Sequence, residues 1–195
     1  MSRLATTAAL AACGVLVLTA CGAESDSGAA DRDEVTSKFA GPDGKRVGTV
    51  EVDEDDGAVQ VSVEVSGLEA GYHGFHVHTT GECEADSAAP DDPSKTGDFL
   101  SAGGHLNPDE SEHGDHLGDL PALLVKEDGS ATLEFTGPFT LEELQDEDGS
   151  AFMIHADRDN YANVPERYAP KGPDEDTTKT GDAGDRIACA SIKAG

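Results

Sequence analysis

Four valines, Val59, Val61, Val63 and Val65, are separated by single polar residues, Gln60, Ser62 and Glu64. A period of two sends alternate side chains to opposite faces of an extended strand, so this stretch buries one face and wets the other. A helix cannot satisfy the pattern, because its apolar positions recur every three to four residues. Val50 and Val52 alternate with Glu51 in the same way, and the acidic, glycine-closed link over residues 53–57 reads as a hairpin turn. A second hairpin is expected from residues 123–125 to 131–135 across the polar turn 126–130. Apolar runs at 152–154 and 187–192 are further strands, and only residues 141–144 suggest a helical turn. Two stretches, 79–117 and 156–186, carry no period; loops of such length are usually functional or disordered. With 23 Gly, 9 Pro, 5% aromatics and no Trp in 195 residues, the core must come from Val, Leu, Ile and Ala. The fold class is therefore all-β, a sandwich or barrel in one domain.

Charge narrows the partners. Asp and Glu total 40 against 13 Lys and Arg, a formal net charge of −27 that repels nucleic acid and anionic lipid surfaces. At the front, Arg3 precedes an apolar run over residues 4–20 that is short for a membrane span. The run ends in Leu18-Thr19-Ala20-Cys21 and then turns polar. This resembles a bacterial lipobox, which implies a lipoprotein signal peptide over 1–20, cleavage before Cys21 and lipid on its sulfur. An ordinary secretory signal is the alternative; either way the chain is read as exported, anchored to the outer side of the cell membrane or secreted. Residues 21–34 read as a flexible acidic tether and 35–195 as the folded domain. Cys83 and Cys189 are then the only thiols in the folded part. In an oxidising compartment a disulfide is the simplest reading, and two independent metal-binding or reactive thiols are the alternative.

The histidines carry a pattern. His76 and His78 stand two apart in a strand-like stretch, so both imidazoles face one side while Phe75 and Val77 face the other. Two neutral imidazoles so placed suit copper or zinc. A second cluster holds His105, then His113, His116 and Asp119 at successive spacings of three. Three imidazoles and a carboxylate make the four ligands of a tetrahedral zinc site. His155 closes the apolar run 152–154 at the mouth of the second long loop.

Together these blocks resemble the copper/zinc superoxide dismutase family. The resemblance covers about residues 46–192 and rests on Gly-Phe-His-Val-His at 74–78, Gly-Gly-His-Leu-Asn-Pro at 103–108 and His-Leu-Gly-Asp-Leu-Pro at 116–121. It continues through Met-Ile-His-Ala-Asp-Arg-Asp-Asn at 153–160 and Gly-Asp-Ala-Gly-Asp-Arg-Ile-Ala-Cys at 181–189. The fold it implies is a Greek-key, immunoglobulin-like β-sandwich or flattened barrel with two long functional loops. The implied cofactors are copper, on His76, His78, His105 and His155, and zinc, on His105, His113, His116 and Asp119. Asp159 corresponds to a carboxylate linking a ligand of each metal, His73 to a structural histidine, and Cys83 with Cys189 to the family's disulfide.

The implied reaction converts superoxide to dioxygen and hydrogen peroxide by Cu(II)/Cu(I) cycling. Arg186 would guide the anion, with Lys179, Lys171 or Arg158 adding local charge, and His105 would take up a proton and deliver it to the peroxide. The span from His113 to His116 is shorter than the family's, which keeps a copper-only dismutase open as an alternative. A non-catalytic exported copper-buffering protein on the same fold is the other. A homodimer is compatible with the sequence but not specified by it.

Overall fold

The computed structural model describes residues 33–195. The expected signal peptide, Cys21 and residues 21–32 of the expected tether lie outside the described residues, while the last two tether positions, Asp33 and Glu34, already belong to the first strand. Eleven strands follow in order: β1 Asp33–Ala40, β2 Arg46–Asp55, β3 Ala58–Val65, β4 Gly71–His73, β5 Phe75–His78, β6 Ser87–Ala88, β7 Thr96–Gly97, β8 Leu123–Val125, β9 Ala131–Thr136, β10 Ser150–His155 and β11 Arg186–Ile192. Two short α-helices, α1 Leu141–Leu144 and α2 Glu175–Thr180, and one 3-10 turn over Leu100–Ala102 complete the architecture. Among the described residues no helix is long and apolar enough to cross a membrane.

The alternating valines form β3 as the period requires, with Val59, Val61, Val63 and Val65 buried and Gln60 and Glu64 exposed. The β2–β3 turn is tighter than expected. Both strands run on through the acidic stretch, leaving only Asp56 and Gly57, at φ 52 and φ 78, as the turn. An Asp-Gly pair supplies the two positive φ angles that a two-residue hairpin demands.

Seven strands form one antiparallel sheet in the order β5-β10-β11-β1-β2-β3-β9. A single residue, Gly74, separates β4 from β5, and a five-residue turn, 126–130, separates β8 from β9. Because β4 pairs with β8, this small ladder joins the two ends of the large sheet and curls it into a flattened barrel. The expected second hairpin is thereby corrected. Its turn forms, closed by the Lys126 N–H on the Ser130 carbonyl at 2.8 Å, but β8 pairs with β4 and β9 with β3.

Inside the barrel, Phe75 stacks on Phe152 at 5.8 Å and meets Phe39 and Phe135 at 6.2 and 6.5 Å. This hub fastens β5, β10, β1 and β9 together, so the opposite face of β5, which carries His76 and His78, has a fixed place to stand. The two long loops cover that outer face. The first is tied down by the Cys83–Cys189 disulfide, which bridges 106 positions to β11. The second contains α2, capped by the Asp174 side chain on the Thr177 N–H at 3.1 Å and ended by Gly181 at φ 61.

Candidate metal centre

Residue type and backbone placement together fix which ring nitrogens are free. A carbonyl oxygen only accepts, so the His78 Nδ1–H donates to the Gly103 carbonyl at 2.9 Å and the His155 Nδ1–H to the Gly184 carbonyl at 3.1 Å. The Nε2 atoms of both rings therefore carry bare lone pairs, and they face one another at 3.4 Å. The Asp159 carboxylate accepts from His76 Nε2 and from His113 Nε2, each at 2.8 Å, which leaves both Nδ1 atoms bare. Those two Nδ1 atoms are buried without a hydrogen-bond partner. The His113 Nδ1 lies 3.1 Å from Asp119 Oδ1, yet a lone pair facing a carboxylate oxygen makes no hydrogen bond. Such contacts between lone pairs are relieved only by a positive charge placed between them, a proton or a metal ion.

The bare atoms fall into two groups that share one ring. His76, His78, His105 and His155 form the first, and His105, His113, His116 and Asp119 the second, with the ligand atoms of each group within 4.8 Å of one another. In the second group Asp119 Oδ1 is 2.9 Å from His105 Nδ1 and 3.3 Å from His116 Nδ1, and the two histidine Nδ1 atoms are 3.4 Å apart. A tetrahedron with bonds of about 2.0–2.1 Å has edges of roughly 3.3–3.4 Å, so the two spacings that involve His116 match zinc and the Asp119–His105 one is shorter. The short span before His116 does not prevent this. Asp119 Oδ2 accepts from the Gly114 and His116 N–H groups at 2.7 and 3.1 Å, folding the loop around the carboxylate whose other oxygen faces the imidazoles.

The electrostatics differ between the groups. Burial pushes His78 and His155 well below the ordinary imidazole range, the Arg186 charge adding to it at both, and lowers His76 as well. Burial likewise brings His105 down to about 3, against the pull of Asp119. These rings are neutral and available as donors. At His113 burial is outweighed by Asp119 and Asp159, which raise it to about 9. Both carboxylates are in turn held far below their usual range by the histidines, despite their burial. Gly181 makes the Asp159–His113 link feasible: a Cβ there would run into Asp159 Oδ1 and His113 Nε2.

Arg186 lines an open cleft with His78, His105 and His155. Its Nη1 donates to the Phe99 carbonyl and its Nη2 to the Gly103 carbonyl, each at 2.7 Å. Gly103 thus holds both the guanidinium and His78. Lys179 also lines the cleft, whereas Lys171 and Arg158 do not. Sequence reasoning missed the carbonyls of Phe99, Gly103 and Gly184, which no residue type announces. It also missed Tyr161, which lies against His113. His73 sits behind the site, its Nδ1 2.8 Å from the His155 carbonyl and its Nε2 2.9 Å from the Glu69 carbonyl.

A β-barrel that gathers two donor sets around one shared imidazole, one of them all nitrogen, defines a binuclear metalloprotein suited to copper beside zinc. The sequence model for copper/zinc superoxide dismutase (SODC) matches residues 46–192, and the chain belongs to that family of oxidoreductases. It is 43% identical over 170 residues to a Cu-Zn superoxide dismutase of Mycolicibacterium paratuberculosis, covering 83% of this chain and 74% of the relative. The Escherichia coli Cu-Zn enzyme is 34% identical over 185 residues, covering 91% of this chain and 94% of that one. Among solved structures, the Cu/Zn superoxide dismutase of Brucella abortus superposes with a TM-score of 0.63 at 31% identity, over 82% of this chain and 99% of that one. A SOD-like protein from Bacillus subtilis gives 0.62 at 32% identity, over 80% and 97%.

Proposed function

We propose that this protein is an exported superoxide dismutase, converting two superoxide anions and two protons to dioxygen and hydrogen peroxide. The observation that carries the reading is the convergence of four buried imidazoles, three of which, His78, His105 and His155, line a cleft that Arg186 also lines. Copper would be held by His76 Nδ1 and by Nε2 of His78, His105 and His155. Zinc would be held by Nδ1 of His105, His113 and His116 and by Asp119 Oδ1. The chemistry supplied by the bound metals is one-electron exchange between Cu(II) and Cu(I), and fixed positive charge from zinc, which has no redox chemistry.

The chain's own groups do the rest. Arg186 binds and orients the anion: a guanidinium has five N–H donors, and with one on each of two carbonyls the fork is preset while others remain for a small dioxygen species. Burial lowers its pKa only to about 10, so it stays cationic at neutral pH. Nε2 of His105 is the proton carrier, taking up a proton and releasing it to the reduced dioxygen, while Nδ1 of the same ring would stay on zinc beside Asp119 Oδ1 and so keep the imidazole in place. Asp159 keeps the tautomers of His76 and His113 matched to their metals.

Export rests on the apolar run and Cys21, and Cys21→Ser is expected to move the protein from the membrane fraction to the medium. The guiding role is tested with Arg186→Ala. The variant is expected to retain both metals and to lose about tenfold or more in rate, the scale of a lost charge-assisted hydrogen bond. An unchanged rate at full copper content would remove Arg186 from the mechanism.

A further inference from the structure

Tyr161 is a bracket whose ring, hydroxyl and backbone each contact the surroundings of His113 and Asp119. Its ring lies nearly parallel to the His113 imidazole, 11° between planes with centroids 6.3 Å apart. The phenol donates to the Leu120 carbonyl at 3.1 Å and accepts from the Ala122 N–H at 2.9 Å, which ties it to the segment just after Asp119. Its own N–H donates to Asp159 Oδ1 at 2.7 Å, the same oxygen that accepts from His113. Its carbonyl presses on the loop that carries His113, where a Cβ on Gly114 would come within 2.8 Å.

The backbone here is held in an unfavourable form. Tyr161 and Ala162 are both left-handed, at φ 53 and φ 51, and non-glycine residues adopt that conformation only where their surroundings over-determine it. Tyr161 is 38% exposed whereas the His113 side chain is fully buried, so the ring forms the outer wall over that imidazole.

We propose that Tyr161 is a positioning residue for zinc, holding the His113 ring in place across the short loop that runs to Asp119. The proposal rests on the assignment of His113 as a zinc ligand. The ring restricts His113 from outside, and the phenol fixes the ring to the strand side of the loop. The ring and phenol meet His113, Leu120 and Ala122, and the one link toward a copper ligand, through Asp159 to His76, starts from the Tyr161 backbone N–H that both variants keep, so the copper group keeps its geometry when the side chain changes.

The test compares wild type, Tyr161→Phe, Tyr161→Ala and His113→Ala for zinc affinity by chelator competition. Copper affinity and the visible spectrum of cobalt(II) placed at the zinc position are measured alongside. Tyr161→Ala is expected to weaken zinc by about 10–100-fold, the usual effect of losing a partner behind a metal ligand, and to shift the cobalt bands. Tyr161→Phe keeps the ring, loses both phenol hydrogen bonds and falls between Ala and wild type; it also serves if the Ala variant does not fold. Copper affinity stays at the wild-type value in both. Wild-type zinc affinity and cobalt spectrum in both Tyr161 variants, with zinc lost in His113→Ala, would overturn the positioning role alone. Zinc retained at wild-type strength in His113→Ala would instead overturn the ligand assignment, and the proposal with it.

Discussion

Asp159 shows how much one carboxylate can settle. It accepts from a nitrogen of His76, a nitrogen of His113 and the Tyr161 N–H, so three donors depend on two oxygens. Asparagine keeps the shape but turns an NH2 group toward one of those N–H donors. Asp159→Asn is therefore expected to weaken binding of both metals by about 10–100-fold, as measured by chelator competition. Unaltered affinities would mean that the tautomers are set elsewhere. At this scale the sequence was informative wherever chemistry demands a residue type. Imidazoles and carboxylates at metal-ligand spacing stand out, and the structure brings together the six residues picked out by spacing with His155, which only the family resemblance had marked as a ligand. Backbone atoms leave no such mark. Phe99, whose carbonyl holds Arg186, sits at φ 59 with a buried ring, and nothing in its identity signals that role.

Among the elements, side-chain period proved a better guide than turn chemistry. The valine alternation placed β3 correctly, because one buried face dictates a period of two. A polar turn at 126–130 announces a change of direction but not a partner, and β8 and β9 pair elsewhere. β1 passed unnoticed since its inward positions include Ser37, which spends its hydroxyl on the Ser191 carbonyl at 2.7 Å rather than on the core. Helix α2 has its signals only at its ends, in Asp174 and Gly181, with no apolar stripe between. The disulfide acts at this scale too. It anchors the first long loop, where the Phe99 N–H donates to the Glu84 carbonyl at 3.0 Å and Phe99 in turn holds Arg186. Replacing Cys83 and Cys189 by Ala is expected to cost up to about 4–5 kcal/mol in the chain-entropy model, read from the denaturant midpoint. It should also lower the rate per bound copper. A midpoint and rate equal to wild type would show that the loop is held by other contacts.

For the molecule as a whole, charge and substrate have the same sign. The chain carries −27, and the cleft is lined by Asp91, Glu110, Glu112, Asp176 and Asp182 against Lys179 and Arg186. Lys179 is paired with Glu175 at 2.6 Å, which leaves Arg186 to face the anion. At about 0.01 M salt the repulsive field reaches roughly 30 Å, and at 0.1 M about 10 Å. The dismutation rate is therefore expected to rise as salt is raised across that range, because the distant repulsion is screened before the contact with Arg186. A rate that falls steadily would show that attraction dominates even at long range. The overall charge was legible from composition; the acidic lining of the cleft was not, since it depends on which loop residues the fold turns inward.

The most direct measurement is the decay of superoxide after a radiolytic pulse, followed while copper is titrated into the zinc-loaded protein. The account predicts a second-order rate that climbs linearly with copper and stops at one ion per chain. Decay no faster than in buffer, with one copper bound at the four histidines, would contradict it.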